Sequence, residues 1–139
     1  MLDEGEQQLV TDRLEGLAST VTLVMFTQET GCHYCAETRE LVEEIARLSG
    51  KVRAEIWDFD RDSPQVTRYG VDKTPAIAIV GTLDYGVRYY GIPSGYEFAA
   101  LLDDMIDVSK GDSGLSPDSR AQLAGLEQKL HLQVFTTPT

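Results

Sequence analysis

The chain is poor in cysteine, in histidine and in positive charge. Its 139 residues include two cysteines, two histidines and 12 Lys and Arg against 23 Asp and Glu. The formal net charge of −11 opposes non-specific attraction to nucleic acid or an anionic membrane, both of which are negative, so neither is expected as a partner. No apolar run approaches the length of a bilayer span. The opening, Met1-Leu2-Asp3-Glu4-Gly5-Glu6, lacks the basic-then-apolar order of a secretory signal, and a cytoplasmic location is the expectation. In that compartment a permanent structural disulfide is unusual outside some thermophiles. Paired thiols there are more often catalytic or metal-binding. What is present is an apolar fraction of 42% and a length that suits one domain of ordinary size, so a buried core is available.

Hydrophobic periodicity organises the chain. Leu2 to Leu17 reads as a helix, with Val10, Leu14 and Leu17 on one face among acidic neighbours. Val21 to Phe26 is short and nearly all apolar, which suits a central strand covered on both faces. A helical pattern follows through Leu41, Ile45 and Leu48, with Gly50 as its stop. Val52 to Phe59 is a second strand. Ser63-Pro64 has the form of an N-cap followed by proline, opening a short helix that ends at Gly70. Ala76 to Val80 and Tyr85 to Tyr90 read as a hairpin across Gly81 to Asp84. Ser94-Gly95-Tyr96-Glu97 has the spacing of a capping box, with Pro93 and Phe98 placed as a hydrophobic staple. The helix it opens carries Phe98, Leu101, Leu102, Met105 and Ile106 as a core stripe. Two βα units, a hairpin and a closing helix imply an α/β fold with a mixed sheet and helices on both faces.

Residues 110–116 hold two glycines, two serines and an aspartate, and read as a linker. Beyond it the chain begins again, read as an internal repeat against the plainer alternative of chance similarity between two amphipathic helix–strand segments. Leu14, Gly16, Leu17, Leu23, Phe26, Thr27 and Thr30 recur 109 positions later as Leu123, Gly125, Leu126, Leu132, Phe135, Thr136 and Thr139. The expected organisation is a unit over 1–109, a linker over 110–116, and over 117–139 the first helix and strand of a truncated second unit, with the strand at Leu130 to Phe135.

The two cysteines stand three apart, as Cys32-His33-Tyr34-Cys35, between the first strand and the helix after it. Thiol–disulfide exchange needs a thiolate attacker, a second thiol to resolve the mixed disulfide, and room for a partner's sulfur. At a strand-to-helix junction, unpaired N–H groups and the helix dipole favour a thiolate at Cys32. Cys35 lies one turn inward, close enough to close a small ring. Cys32 is therefore the expected attacker and Cys35 the resolver. A protonated His33 favours the Cys32 thiolate and makes the disulfide a better oxidant, which suggests a potential of roughly −180 to −270 mV. The plainer reading makes His33 a solvated helix-start residue. Tyr34 is either part of a partner-binding rim or a cover for the motif. Thr74-Pro75 heads a strand. The sequence alone favours a trans bond there; a cis bond would leave the Thr74 N–H and C=O free to pair with an extended substrate chain.

These residues resemble the thioredoxin superfamily. The strand, the C-x-x-C, the helix, then Asp58-Phe59-Asp60, Pro64, Tyr69-Gly70-Val71 and Thr74-Pro75 stand in thioredoxin order. The stretch Tyr85-Gly86-Val87-Arg88-Tyr89-Tyr90-Gly91-Ile92-Pro93-Ser94-Gly95-Tyr96-Glu97-Phe98-Ala99-Ala100 and the ending Val134-Phe135-Thr136-Thr137-Pro138-Thr139 are similar to the tandem, glutaredoxin-like protein disulfide oxidoreductases. That resemblance implies a thioredoxin-like fold, redox-active Cys32 and Cys35, and a cis peptide at Thr74-Pro75. It also implies protein dithiol or disulfide substrates and a flavin-dependent, thioredoxin-reductase-like electron donor. His33, Tyr34, Thr74 and Pro75 are the expected substrate-binding residues, and no cofactor or metal is expected. Two departures stand out. Where thioredoxins bury an aspartate six residues before the attacking cysteine, this chain has Phe26, and its usual basic partner would fall near Ile56. The proton acceptor for Cys35 is then unassigned, with Glu29, Glu37 and solvent as candidates. Gly81-Thr82-Leu83-Asp84 lacks the double glycine of a glutaredoxin's glutathione segment.

Two other classes compete. C-x-x-C is half of a zinc site, but zinc generally takes four ligands, and only His33 and His131 remain as soft donors; a metal or iron–sulfur site shared between chains is the form this reading takes. The second rival is an interaction module whose thiols are idle. Elsewhere the plain reading prevails: Trp57 as sheet packing, Glu37, Glu40, Glu43 and Glu44 as a solvated helix face, and His131 as a strand-surface residue.

Overall fold

A computed structural model describes residues 1–136. Its elements in chain order are α1 (Glu4–Leu14), β1 (Val21–Thr27), α2 (Cys35–Leu48), β2 (Val52–Asp58), α3 (Ser63–Tyr69), β3 (Ala76–Val80), β4 (Arg88–Tyr90), α4 (Tyr96–Lys110) and α5 (Pro117–Ala124). The strand order is β2-β1-β3-β4. β1 runs parallel to β2, with Val21 opposite Val52, and antiparallel to β3, with Leu23 opposite Ile79. β3 and β4 form an antiparallel hairpin, but of the expected second strand Tyr85 to Tyr90 only Arg88–Tyr90 is strand.

Strand geometry divides the core into two layers, because successive side chains leave a strand on opposite faces. Val21, Leu23 and Met25 join Ile77 and Ile79 beneath α1, α2 and α4, which supply Val10 and Leu14, Leu41 and Ile45, and Leu101 and Met105. Val24 and Phe26 join Ala76, Ala78, Tyr69 and Val71 on the face that α3 covers. The mixed sheet with helices on both faces is therefore as the hydrophobic pattern requires.

Helix ends depart from expectation in instructive ways. α1 starts at Glu4 rather than Leu2, because Asp3 and Glu6 form a reciprocal capping box. The predicted box at Ser94 and Glu97 does not form. Gly95 is the N-cap of α4 at φ 57°, and the Glu97 N–H donates to the Ser94 carbonyl rather than its hydroxyl. Asp62, not Ser63, caps α3, and its carboxylate is occupied by the Asp58 N–H at 2.7 Å. Glu44 leaves the solvated acidic face altogether. It is 7% exposed and accepts hydrogen bonds from the Leu2 N–H and the Gln7 side chain, beside the N-terminal ammonium at 3.2 Å.

The largest departure lies after α4. α5 forms, capped by the Ser116 hydroxyl, but buries no residue. The strand expected at Leu130 to Phe135 is not formed, so His131 is exposed but on no strand. A strand needs a neighbour for its backbone groups, and none of the sheet's strands pairs with this stretch. The repeat partner of Thr30, Thr139, and with it the end of the stretch Val134 to Thr139, lies outside the described residues.

Candidate active site

The C-terminal end of β1 delivers the chain to a loop that folds back over the sheet. Gly31 sits at φ 77°, a left-handed conformation that glycine adopts without steric penalty, and turns the loop into the cysteine motif. Cys32 is half-buried in that loop, while Cys35 is the first residue of α2 and only 3% exposed. The two are joined as a disulfide with their Cα atoms 5.6 Å apart. One sulfur is thus offered at the surface with the other behind it.

The start of α2 is electrostatically suited to a thiolate. Its N-cap, Tyr34, makes no side-chain cap bond. The first backbone bond into the helix is from the Thr38 N–H to the Tyr34 carbonyl, at 3.0 Å. The amides of Cys35, Ala36 and Glu37 therefore lack the partners a capping side chain supplies, and they sum with the helix dipole to favour negative charge at this end. On reduction, a sulfur anion at Cys32 would lie beside the helix's positive end.

The residue six positions before Cys32 is apolar. Phe26 is fully buried, its ring 5.9 Å from that of Tyr69. Trp57, opposite Phe26 in the β1–β2 register, packs on the same layer as expected, and its buried indole N–H has no acceptor among the described residues. Phe26 therefore supplies no carboxylate to take the Cys35 proton. Of the two carboxylates suggested for that task, Glu29 is exposed and paired with Arg61 at 2.9 Å. Glu37 is exposed on the first turn of α2.

The expected substrate-binding residues lie on two loops, His33 and Tyr34 before α2 and Thr74 and Pro75 before β3. His33 and Tyr34 are exposed, their rings edge-to-face at 6.0 Å. The Thr74–Pro75 peptide is cis. Pro75 is buried and its carbonyl accepts from the Gly91 N–H at 2.9 Å, which ties the start of β3 to the end of β4. The Lys73 ammonium lies 4.8 Å from the centre of the Tyr90 ring.

Sequence reasoning missed Gln28. It lies one residue past β1 and accepts the Thr74 hydroxyl at 2.6 Å, while its amide nitrogen donates to both oxygens of Asp60 at 3.1 Å. A lone glutamine at a strand end carries no signal of this; only the fold brings positions 28, 60 and 74 together. Among the described residues no group of three His, Cys, Asp or Glu side chains is arranged to hold a metal, and no helix is long and apolar enough to cross a membrane.

A thioredoxin domain family model matches residues 22–103. A probable thioredoxin of Methanothermobacter thermautotrophicus is 38% identical over 87 residues, covering 61% of this chain and 96% of that protein. Among solved structures, a protein disulfide oxidoreductase from Aeropyrum pernix superposes with a TM-score of 0.81 at 26% identity, over 91% of this chain and 56% of that one. The N-terminal NTD_N/C domain of the alkylhydroperoxide reductase AhpF from Enterococcus faecalis shares the fold, with a TM-score of 0.76 at 22% identity over 92% of this chain and 62% of that one. The chain thus spans little more than half the length of either solved structure.

Proposed function

The chain belongs to the thioredoxin domain family, and on that premise we propose that it exchanges electrons with the dithiols and disulfides of other proteins through Cys32 and Cys35. The observation that carries this reading is the disulfide between a half-exposed loop cysteine and a buried cysteine at the helix start. In the reduced protein the Cys32 thiolate attacks one sulfur of a partner's disulfide. That bond breaks, and the released partner sulfur leaves as a thiolate that takes a proton. Cys35 gives up its proton to water or to that leaving thiolate. Its sulfur then attacks Cys32, expels the second partner sulfur and closes the Cys32–Cys35 disulfide. Two electrons pass to the partner. The reverse sequence oxidises a partner dithiol.

His33, Tyr34, Thr74 and Pro75 form the rim that meets the partner chain, with the Thr74 backbone pairing to an extended segment in the manner of strand addition. Residues 1–109 are the redox unit, 110–116 the linker, and 117–139 the start of a second unit of the tandem disulfide oxidoreductase type. Two facts support that last assignment. The likeness to the Aeropyrum pernix protein covers 91% of the chain, more than residues 1–111 make up, and apolar residues recur after α4 in the order of the first unit. A flavin-dependent reductase is the proposed donor and the cytoplasm the proposed location.

Insulin reduction tests the activity. With dithiothreitol as donor the protein is expected to accelerate it; a rate equal to that of dithiothreitol alone would overturn the reading. Roles are separated by trapping. Cys35→Ser should accumulate mixed disulfides with partner proteins and Cys32→Ser should not, and equal trapping by both would reverse the assignment of attacker and resolver.

A further inference from the structure

Three loops meet at the end of the sheet that carries the cysteines, and Gln28 joins them. Its position is four residues before Cys32, at the root of the loop that presents the attacking sulfur. Its carbonyl oxygen accepts the hydroxyl of Thr74, in the loop before β3. Its amide nitrogen donates to the carboxylate of Asp60, in the β2–α3 loop. Asp60 is itself held, because its N–H donates to Asp58 at 3.0 Å. The same two loops are also tied by the Phe59 N–H to the Thr27 carbonyl at 2.8 Å and by Arg61 to Glu29.

The chemistry of these bonds fixes the direction of the amide. A carboxylate such as Asp60 accepts only, so Gln28 must turn its NH2 toward it. Its carbonyl then faces Thr74, whose hydroxyl donates. Gln28 is therefore a two-ended strut: one end on a charged acceptor, the other on the residue before Pro75. Neither a hydrocarbon nor a carboxylate of the same length reproduces both ends.

We infer that Gln28 is a positioning residue for protein substrates, acting through Thr74 by holding its loop at a set distance from the Cys32 loop. The inference rests on the reading above in which the Thr74 backbone pairs with the partner chain. A protein disulfide must satisfy both the attacking sulfur and that backbone at once, so the spacing between the loops enters its binding. A small disulfide needs only the sulfur.

The test uses the full chain with two substrates, insulin and 5,5′-dithiobis(2-nitrobenzoic acid). Gln28→Leu is expected to raise KM for insulin roughly three- to tenfold, the range set by one or two net hydrogen bonds, with kcat changed by less than about twofold. Its reaction with the small disulfide and its Cys32–Cys35 equilibrium with glutathione should change by less than about twofold. Thr74→Val should raise KM for insulin in the same way, and the double variant should show no further rise, because both remove one interaction. Gln28→Glu alone sets a carboxylate against Asp60 and should raise KM. Adding Asp60→Asn restores a donor opposite the new carboxylate and should return KM to near its original value. An unchanged KM in Gln28→Leu, an equal loss on both substrates, or no rescue by Asp60→Asn would each overturn the inference while leaving the activity standing. A native chain that reacts with the small disulfide but leaves insulin at the buffer rate would overturn the protein-substrate reading and this inference with it.

Discussion

Two segments 109 positions apart have nearly the same apolar spacing and opposite fates. In the first, Leu14, Leu17, Leu23 and Phe26 are at most 2% exposed. In the second, Leu123, Leu126, Leu132 and Phe135 are 52 to 89% exposed. The helix forms in both places, capped by Asp3 in one and Ser116 in the other. The strand forms only where β2 and β3 flank it. Helix hydrogen bonds close within the segment, so local sequence suffices to outline a helix, whereas a strand's bonds must be closed by a neighbour. The contrast shows that an apolar pattern announces a need for burial and does not supply the partner.

The largest expected difference between the two segments is in core truncation. Leu23→Ala or Phe26→Ala should lower the unfolding free energy by about 3–5 kcal/mol, through lost transfer energy and an unfilled cavity. Phe135→Ala should change it by less than about 0.5 kcal/mol, as for other substitutions outside the packed structure. Urea titration of the three variants measures this, and comparable losses at positions 26 and 135 would break the comparison.

A smaller effect separates carboxylates of the two regions. Burial works to raise the pKa of Glu44, but the Leu2 N–H, the N-terminal ammonium and Gln7 outweigh it and hold the carboxyl below its ordinary 4.5. A folded value below the unfolded one means that the ionised group stabilises the fold. Its contribution is fully present above the ordinary value and is lost as pH falls through the depressed one. Glu44→Gln should therefore destabilise by about 1–2 kcal/mol near neutrality, and the gap from the native chain should close under acid. Asp112 is likewise lowered, first by the Gly114 N–H and then by Arg120, but it is exposed between α4 and α5. Asp112→Asn should leave the acid limb of the stability curve in place, and movement of that limb would show the segment after α4 to be part of the cooperative unit.

The smallest effect concerns the caps. Asp3→Ala should cost about 1 kcal/mol of global stability, since α1 is packed on the sheet. Ser116→Ala should not move the midpoint, because α5 buries nothing and a helix of 8 residues is marginal on its own. Far-ultraviolet dichroism should instead show a slight loss of helix. A shift of the midpoint equal to that of Asp3→Ala would mean that α5 is held by the first unit.

Much of the site was legible because its parts are contiguous. Cys32 and Cys35 are neighbours in the chain, and a strand followed by a helix places them at a helix start whatever surrounds it. The limits of β3 were legible from Ala76 to Val80, an unbroken apolar run closed by a glycine. The meeting of Gln28, Asp60 and Thr74 was not legible, because it depends on three separate strand ends reaching one edge. Glu44 was misread for a related reason. Helical spacing put it with exposed carboxylates, and only the return of the N-terminal segment across α2 gave it donors.

By itself the sequence determined where hydrogen bonds could be closed locally: the helices, the hairpin and the dithiol at a helix's leading end. Tertiary structure alone decided which apolar segment would be covered, which carboxylate would be buried and which polar side chains would bridge the loops. The physical reason is reach. Local backbone bonding is satisfied within a few residues, while burial and long-range pairing require surfaces that the chain must first bring together.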